Sequence, residues 1–555
     1  MKEYDLVVVG GVAAGTKAAA KARRERRNWK IAIVTQDTDV SYAGCGLPYY
    51  LGGVIPNRAA LIVKNPDKLK CSNDLDIFVE HRVLSVDRAA KTVLVKFLET
   101  GQEFPLKYSK LFLATGAQAV RPPIPGADSP RVMTLRTVDD ADKLLGQVGA
   151  GKPGKCVVVG GGFIGIEVAE NVAARGWQVA IVEMLPQILP PFDEEVALFV
   201  QRHLEKKGIK VVTGAKVSEI CDGAGGCTVK TSSGAFDADV VVMSVGVKPE
   251  ARLAKESGLE LGAKGAIKVD ASGRTSDPDI FAAGDCATTF GLISKSEVWA
   301  PMGSTANKQA RAAALTLTGS EGSFPGVLGT MAVKAFEVLA AKTGLCEREA
   351  REAGLDIVAV TVPADDRAHY YPGSQKIAIK VVADRKTGRI LGAQAYGFGV
   401  VDKPIDAFVA GITMGATARD LANADFAYAP PFSTAINPVN LACNVLLNKI
   451  EGKMEGIDCI AAKKMISDPA WEGLLLDTRE VPEFMIGSLP GAINIPNAEI
   501  FARSAEIEKF RDKPVITICN FGRGAYDGYL RLKHLGFSRV KILEGGTRFW
   551  PYELV

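Results

Sequence analysis

Two segments of this 555-residue chain repeat one pattern: an apolar strand, a glycine-rich turn, an alanine-rich helix and a second apolar strand. The first reads YDLVVVGGVAAGTKAAAKARR followed by IAIVT, and the second reads KCVVVGGGFIGIEVAENVAARG followed by VAIVE. A strand that passes through a glycine turn into a helix and then into another strand is the βαβ unit that binds dinucleotides. The chain is therefore predicted to contain two Rossmann-like dinucleotide-binding domains.

The second segment carries a complete G-x-G-x-x-G. Gly160 permits the tight turn, Gly162 lets the backbone approach a pyrophosphate, and Gly165 lets the helix pack on the sheet. Glu183 ends the next strand, about twenty residues later, where a carboxylate binds the free ribose hydroxyls. Met184 follows it, with no arginine to bind a 2′-phosphate. The pattern predicts an NAD(H) site that favours NADH over NADPH.

The first segment is less regular, because Val12 stands at the middle glycine and Thr35 stands where an acid normally ends the second strand. Taken alone, its turn is also compatible with an ordinary loop. Two later stretches, ATG at 114–116 and AAGD at 282–285, have the form used by flavoproteins with two dinucleotide sites. Their presence in this order predicts FAD at the first segment. The residues assigned to the FAD site are Gly10, Gly15, Thr115, Gly116, Gly284 and Asp285.

The sequence pattern changes in the second half of the chain. From about Phe324 alternating strands and two helices, near 404–415 and 438–450, predict an α+β domain. The charged stretch at 448–456 is typical of a linker, and the strands and helices beyond it predict a small α/β domain.

The composition of the chain argues against several classes of binding partner. The net charge of +4 gives no global field that would favour nucleic acid or a membrane surface. Ten cysteines without a CxxC pair and only four histidines argue against a metal site. The chain enters its first strand directly, without a signal-peptide pattern, and has no apolar run long enough to span a bilayer. We expect a cytoplasmic protein with no membrane partner.

Cys45 lies in SYAGCGLPYY, at the place where flavin disulfide reductases keep their redox cysteines. Glutathione-reductase-like enzymes have a CxxxxC pair there, but Val40 and Tyr50 occupy the positions of a second cysteine. Cys45 is therefore predicted to act with the flavin as a lone thiol.

The first 450 or so residues resemble the coenzyme A disulfide reductases of the single-cysteine pyridine nucleotide-disulfide oxidoreductase family, and the tail resembles a rhodanese. The whole chain is similar to the fused proteins, which are also described as NADH-dependent persulfide or polysulfide reductases. The stretches that carry the resemblance are SxxxCGLPYY, TSDPDIFAAGD, YYPG, VDKPID and YAPPFS.

This resemblance implies an α/β protein with two Rossmann-like domains, an α+β dimerisation domain and a C-terminal rhodanese-like α/β domain. The expected FAD-binding domain comprises residues 1–110 and 247–325, and the NAD(H)-binding domain comprises 111–246. Dimerisation and rhodanese-like domains are expected at 326–452 and 457–555.

The resemblance also implies a homodimer in which Tyr370 and Tyr428 of one subunit reach Cys45 of the other as proton donors or orienting hydroxyls. Cys45 would cycle between a thiolate and a mixed disulfide with coenzyme A. From the residues alone, both tyrosines could equally be core aromatics, and Tyr371 competes with Tyr370 for the role.

Coenzyme A phosphates need cations, and basic residues recur at helical spacing after the first glycine turn. Surface charge is the alternative interpretation. The resemblance assigns Lys21, Arg24 and Ser41 to the ligand. The chain departs from the family at Gly44 (often Asn), Arg367 (His) and Pro404 (Arg), which bears on substrate choice.

In the tail, PVITIC followed by NFGRGAY resembles a rhodanese loop that starts at Cys519 and contains Gly522 and Arg523. A ring of backbone N–H groups there is expected to favour a thiolate or persulfide and to lower the cysteine pKa from roughly 8.5 toward neutrality. The chain departs from the rhodanese pattern because Ser488 replaces a histidine and Arg523 is one place early in the loop. A buried cysteine at a strand end is the alternative interpretation of Cys519.

The predicted function is reduction of coenzyme A disulfide, coenzyme A persulfide or polysulfide by NADH (or NADPH) through FAD and Cys45, with sulfur transfer at Cys519. The partners would be a small sulfur substrate, or a protein persulfide. One rival is an NADH oxidase or peroxidase that cycles Cys45 through sulfenic acid. Another is a sulfur-carrier or redox-sensing module.

Overall fold

The computed structural model describes residues 1–149, 151–223 and 225–555. The chain forms two compact units. The first comprises Met1–Pro186 and Ile209–Val327, and the second comprises Gln187–Gly208 and Leu328–Val555.

A seven-stranded sheet in the first unit has the order β3-β2-β1-β6-β5-β4, with β17 paired to β6. Strands β1, β2, β3, β6 and β17 pair in parallel, whereas β4 and β5 form antiparallel pairs with each other and with β6. The strands are β1 (Lys2–Val9), β2 (Ile31–Val34), β3 (Asp76–Phe78), β4 (His81–Asp87), β5 (Thr92–Phe97), β6 (Glu103–Leu113) and β17 (Ile280–Ala282).

Two helices cover one face of this sheet through small side chains. Helix α1 (Ala13–Glu25) buries Ala14, Ala18 and Ala22, and α8 (Gly303–Leu317) packs against it through its own alanines. Alanine lets the two helices approach closely and has the best helix propensity. The remaining helices of this region are α2 (Leu47–Leu51), α3 (Pro66–Asn73) and α7 (Arg252–Glu256).

The second sheet of this unit is parallel, with the order β11-β10-β9-β15-β8, and α4 (Val138–Val148) and α5 (Phe163–Ala173) lie in the connections between its strands. Its strands are β8 (Val132–Met133), β9 (Lys155–Val159), β10 (Gln178–Val182), β11 (Lys210–Val212) and β15 (Val240–Met243). An antiparallel three-stranded sheet and two strand pairs complete the unit. These are β12 (Val217–Gly223), β13 (Gly226–Thr231) and β14 (Gly234–Ala238); β7 (Ala117–Ala119) with β16 (Val247–Pro249); and β18 (Thr289–Phe290) with β19 (Glu297–Val298).

The second compact unit contains an antiparallel sheet with the order β20-β21-β24-β23-β22. Its strands are β20 (Met331–Ala335), β21 (Val338–Gly344), β22 (Ile357–Asp365), β23 (Lys376–Asp384) and β24 (Ile390–Gly397). Its helices are α6 (Glu194–Lys206), α9 (Glu347–Glu352), α10 (Asp402–Met414), α11 (Ala418–Ala422) and α12 (Pro438–Ile450).

Helix α6 is tied to this sheet by a buried cation. Lys380 of β23 is 3% exposed and pairs with Glu195 at 2.5 Å, Glu347 at 2.8 Å and Asp193 at 3.1 Å. These carboxylates raise the pKa of Lys380 against the opposing effect of burial. Helix α6 lies within the predicted range 111–246 in the sequence, and in the structure it belongs to the same compact unit as the antiparallel sheet.

The C-terminal region is a five-stranded parallel sheet with the order β25-β29-β28-β26-β27. Its strands are β25 (Gly456–Ile457), β26 (Leu474–Asp477), β27 (Ile493–Asn494), β28 (Val515–Ile518) and β29 (Val540–Leu543), and its helices are α13 (Cys459–Ile466), α14 (Val481–Ile486) and α15 (Arg523–His534). The 3-10 turns within the described part of the chain are Gly44–Gly46, Arg58–Leu61, Ala263–Gly265, Asn497–Glu499, Ser504–Glu506, Glu508–Phe510 and Thr547–Phe549. The predicted fold class is confirmed: two nucleotide-type α/β sheets, an α+β region and a small α/β domain.

Candidate active sites

The two glycine turns have the same geometry. Gly10 and Gly160 adopt φ values of 109° and 108°, which residues with a Cβ rarely adopt. Gly15 and Gly165 each lie so close to the carbonyl of the first glycine that an added Cβ would approach its oxygen to 1.9 Å and 2.0 Å. Each helix therefore starts directly above its turn, which is the arrangement in which helix N-terminal amides bind a phosphate.

The turn before α5 has room for a ligand. An added Cβ on Gly162, the residue preceding the helix, would meet no described atom within 4 Å. Glu183 is buried, and its carboxylate accepts hydrogen bonds from the Gly161 N–H at 2.7 Å and the Leu185 N–H at 2.8 Å. The carboxylate is held rigidly beside the turn, which fits the ribose of a dinucleotide.

The residues assigned to the flavin converge at the carboxyl ends of β6 and β17. The Thr115 hydroxyl donates to the Glu250 carbonyl at 2.5 Å, and Gly116 adopts φ 74°. Gly284 donates to the Gln309 side chain at 3.0 Å. These residues and the first glycine turn meet at one edge of the first sheet, as an FAD site requires.

Asp285 is paired with a residue that the sequence analysis missed. The Arg136 guanidinium donates to the Asp285 carboxylate at 2.7 Å and to the Ala117 carbonyl at 3.1 Å. Arg136 precedes α4 with no sequence signal of its own, and only the folded chain brings it to the Gly-Asp turn.

Cys45 lies in the 3-10 turn Gly44–Gly46, immediately before α2, and its side chain is solvent-exposed. The segment is fixed by Arg58, which bonds Asp39 at 2.5 Å and Asp142 at 2.8 Å, while the Tyr50 hydroxyl donates to Asp142 at 3.0 Å. The thiol therefore projects from a braced turn.

Several groups act on the acidity of Cys45. Partial desolvation by neighbouring protein atoms raises its pKa most, the charges of Glu167 and Asp285 raise it further, and Arg136 lowers it. The net direction is upward, so the protein groups around Cys45 do not by themselves favour the thiolate.

Glu167, on α5 two residues after the last glycine of the turn, is a second residue that the sequence analysis missed. The Tyr49 hydroxyl on α2 donates to its carboxylate at 3.4 Å. Burial raises the pKa of Glu167 to about 7, opposed by the Tyr49 hydrogen bond and assisted by Glu170. An acid that titrates near neutrality thus lies in the electrostatic neighbourhood of the Cys45 thiol.

Some of the residues assigned to coenzyme A binding already have partners within the chain. Lys21 forms an ion pair with Glu25, whereas Arg24 is exposed. Ser41 adopts φ 51°, and its N–H donates to the Gly11 carbonyl at 2.8 Å. Binding an anionic ligand through Lys21 would require exchange of its carboxylate partner.

Tyr370 and Tyr428 come together on the second compact unit. They are 65% and 51% exposed, so the core-aromatic alternative is wrong for both. A hydrogen bond with Tyr428 raises the pKa of Tyr370. Tyr371 lies beside them and is 38% exposed. Arg367, at the position that is His in the family, is paired with Asp366 at 3.0 Å.

Cys519 follows β28 and is 6% exposed. Its sulfur accepts a hydrogen bond from the Gly522 N–H at 2.9 Å. Burial raises the pKa of the thiol, and the N–H groups of Phe521, Gly522, Gly524 and Ala525 lower it by less. The expected ring of amides is present, but the expectation of a lowered pKa is wrong because desolvation outweighs these hydrogen bonds. Arg523, the first residue of α15, is exposed.

Comparison with known proteins identifies the family of the chain. Residues 4–310 match the model of the pyridine nucleotide-disulphide oxidoreductases, which is more than half of the chain. The chain belongs to this family. Residues 330–439 match the dimerisation domain of the same family, and residues 460–551 match the rhodanese-like domain.

Two solved structures resemble this oxidoreductase along nearly its whole length. The NAD-dependent persulfide reductase from A. fulgidus is 38% identical with a TM-score of 0.93, over 98% of this chain and 99% of that one. Reduced CoADR-RHD from Bacillus anthracis is 34% identical with a TM-score of 0.92, over 100% of both chains.

A curated relative from Pyrococcus furiosus, named NAD(P)H sulfur oxidoreductase (CoA-dependent), is 33% identical over 80% of this chain and 100% of its own. Other relatives bear the names NADH oxidase and coenzyme A disulfide reductase. The resemblance to fused coenzyme A disulfide reductase and rhodanese proteins is confirmed. None of the helices within the described residues is long and apolar enough to cross a bilayer.

Proposed function

We propose that this oxidoreductase uses NADH to reduce coenzyme A disulfide, coenzyme A persulfide or polysulfide through the single redox cysteine Cys45. The observation that carries the proposal is an exposed, unpaired thiol on a braced turn in the same compact unit as two dinucleotide turns. Relatives named for persulfide, sulfur and coenzyme A disulfide reduction support the substrate class. We keep the four-domain division given above as part of the proposal.

FAD and NADH, when bound, would supply two electrons by hydride transfer. The glycine turns would hold their phosphates, Glu183 would bind the NADH ribose, and Asp285 with Arg136 would border the flavin chain. These contacts would hold both dinucleotides in the same compact unit as Cys45.

At Cys45 the thiolate attacks a substrate sulfur, forms a new S–S bond and breaks the old one, so that a thiolate or hydrosulfide leaves. Two electrons and a proton then release the bound thiol and restore the Cys45 thiolate. Glu167, paired with Tyr49, would hold a proton near the leaving group. Lys21, Arg24 and Ser41 would bind coenzyme A.

The proposed assembly is a homodimer in which Tyr370 and Tyr428 of one subunit act at Cys45 of the other. The match to the family dimerisation domain and the two exposed, mutually hydrogen-bonded tyrosines support it. All ten cysteines are unpaired, which fits the reducing cytoplasm that we propose as the compartment.

Cys519 is proposed to accept a sulfane sulfur as a persulfide and to present it to Cys45, while small disulfides reach Cys45 directly. The Cys519→Ser variant should keep nearly normal reduction of coenzyme A disulfide but release less hydrosulfide from polysulfide. NADH consumption with the first substrate and hydrosulfide release with the second measure the two effects. Equal loss on both substrates would show a structural role, and no loss on either would remove Cys519 from the mechanism.

Relatives named NADH oxidase support a second candidate, in which peroxide, supplied as substrate or formed by two-electron reduction of oxygen, oxidises the Cys45 thiolate to a sulfenic acid and releases hydroxide. Oxygen consumption that keeps pace with NADH oxidation when no sulfur substrate is present would favour it.

A further inference from the structure

Asn520, the residue after Cys519, has its side-chain amide fixed on both sides. Its oxygen accepts from the Arg479 guanidinium at 3.0 Å and from the Thr547 hydroxyl at 3.0 Å. Its nitrogen donates to the Glu483 carboxylate on α14 at 2.6 Å. A side chain held by three hydrogen bonds to two separate segments of the chain has little freedom, so the backbone that carries it is restrained as well.

Arg479 is itself anchored to the sheet. Its guanidinium donates to both oxygens of the fully buried Asp477, with the shortest contact at 2.6 Å, and to the Gly487 carbonyl at 2.8 Å. The Ser488 hydroxyl donates to the same Asp477 carboxylate at 2.5 Å. Ser488, which stands in place of the usual histidine, thus completes a buried network that ends at Asn520.

Thr547 binds the loop a second time through its backbone. Its N–H donates to the Cys519 carbonyl at 3.0 Å, while its hydroxyl holds the Asn520 side chain. Thr547 is 6% exposed, so its side of both bonds is shielded from bulk water. The peptide group that joins Cys519 to Asn520 is therefore clamped immediately before the residues whose N–H groups face the sulfur.

We propose that Asn520 is a positioning residue for sulfur transfer, which holds the Cys519 loop with its N–H groups turned toward the sulfur. The inference rests on the proposed role of Cys519 and assigns the shape of the loop to a side chain that does not touch the substrate. In the transfer, the Cys519 thiolate bonds to the terminal sulfur of a donor R–S–SH, the donor S–S bond breaks, and R–S⁻ leaves. Amides that face the sulfur stabilise the negative charge before and after this step.

The test uses the full-length flavoenzyme and two readouts at Cys519, both followed by peptide mass spectrometry. One is the rate of alkylation by iodoacetamide as a function of pH, and the other is persulfide formation with inorganic polysulfide at pH 7. Asn520→Ala should shift the alkylation midpoint to higher pH and slow persulfide formation by about fivefold or more, as expected from the loss of one or more hydrogen bonds that orient the amides. A loss of folding alone would expose Cys519 and move the midpoint to lower pH, because burial raises the pKa of this thiol.

Thr547 provides a matched pair of variants if Asn520→Ala is unstable. Thr547→Val removes the hydroxyl at nearly constant volume and should shift both readouts as Asn520→Ala does, whereas Thr547→Ser keeps the hydroxyl and should restore them. A midpoint and a persulfide rate in Asn520→Ala and Thr547→Val that match the wild-type enzyme would overturn the proposal. If the wild-type enzyme formed no persulfide at Cys519, the sulfur-carrier function would fail, and the alkylation midpoint would still decide the positioning role.

Discussion

The choice of nicotinamide cofactor depends on Glu183, which the structure holds in one place. Two backbone N–H groups bind its carboxylate, so it cannot swing away from a ligand that it repels. Met184 and Leu185, the next residues, are 60% and 40% exposed and carry no charge that could attract a 2′-phosphate.

The size of the expected preference for NADH over NADPH follows from the contacts of Glu183. A hydrogen bond between a carboxylate and a ribose hydroxyl contributes about 1.5–3 kcal/mol, which corresponds to about 10- to 150-fold in kcat/KM. NADPH loses this bond and also places a phosphate against a fixed negative charge. We therefore expect NADH to exceed NADPH by about 100-fold or more in kcat/KM.

Glu183→Gln keeps an oxygen that can accept one of the two backbone N–H groups but removes the charge. It should lower kcat/KM for NADH by about tenfold and raise the value for NADPH. Anaerobic rates of flavin reduction at varied cofactor concentration measure both values, with Met184→Leu as a control that leaves the preference unchanged. Equal use of both cofactors by the wild-type enzyme, or an unchanged ratio in Glu183→Gln, would refute this reasoning.

Two further predictions concern ionisable groups. Glu167→Gln removes a charge that raises the pKa of Cys45, so alkylation of Cys45 should be faster than in the wild-type enzyme above about pH 7 and similar below it, where Glu167 is already protonated; identical pH profiles would contradict this. Lys380→Met leaves two buried carboxylates, Asp193 and Glu195, without their cation and should destabilise the second compact unit by about 3–5 kcal/mol. The decrease in the urea midpoint of unfolding should be larger at pH 8 than at pH 5, because protonation of the carboxylates at low pH relieves their mutual repulsion. An equal decrease at both pH values would argue against this account.

The features that could be predicted from the sequence are those in which a short run of residues determines both the local backbone structure and the ligand that it binds. A glycine turn between an apolar strand and a helix has few structural solutions, so the turns at Gly10 and Gly160 and the acid at Glu183 could be placed without coordinates. The segment around Cys45 was identified by its resemblance to a family rather than by its periodicity.

The remaining features depend on contacts between distant parts of the chain. Arg136 reaches Asp285 across 149 positions and Lys380 reaches Glu195 across 185, and neither pair has a local signal. The predicted lowering of the Cys519 pKa was wrong for a related reason. The sequence pattern indicates a loop of backbone amides, but it does not reveal how deeply the thiol is buried. Helix α6 is a further example, because it follows the second nucleotide segment in the sequence while its buried Glu195 binds Lys380 on the antiparallel sheet.

The central claim is that Cys45 alone carries the sulfur chemistry while NADH reduces the flavin independently of it. Rapid-mixing absorbance of the Cys45→Ser variant tests both halves in one experiment: mixing with NADH, then with coenzyme A disulfide, while the flavin spectrum is followed. The account predicts that the variant binds FAD and is reduced by NADH at a rate close to that of the wild-type enzyme, and that coenzyme A disulfide then fails to reoxidise it. Reoxidation of the variant by coenzyme A disulfide at the wild-type rate would contradict the single-cysteine mechanism.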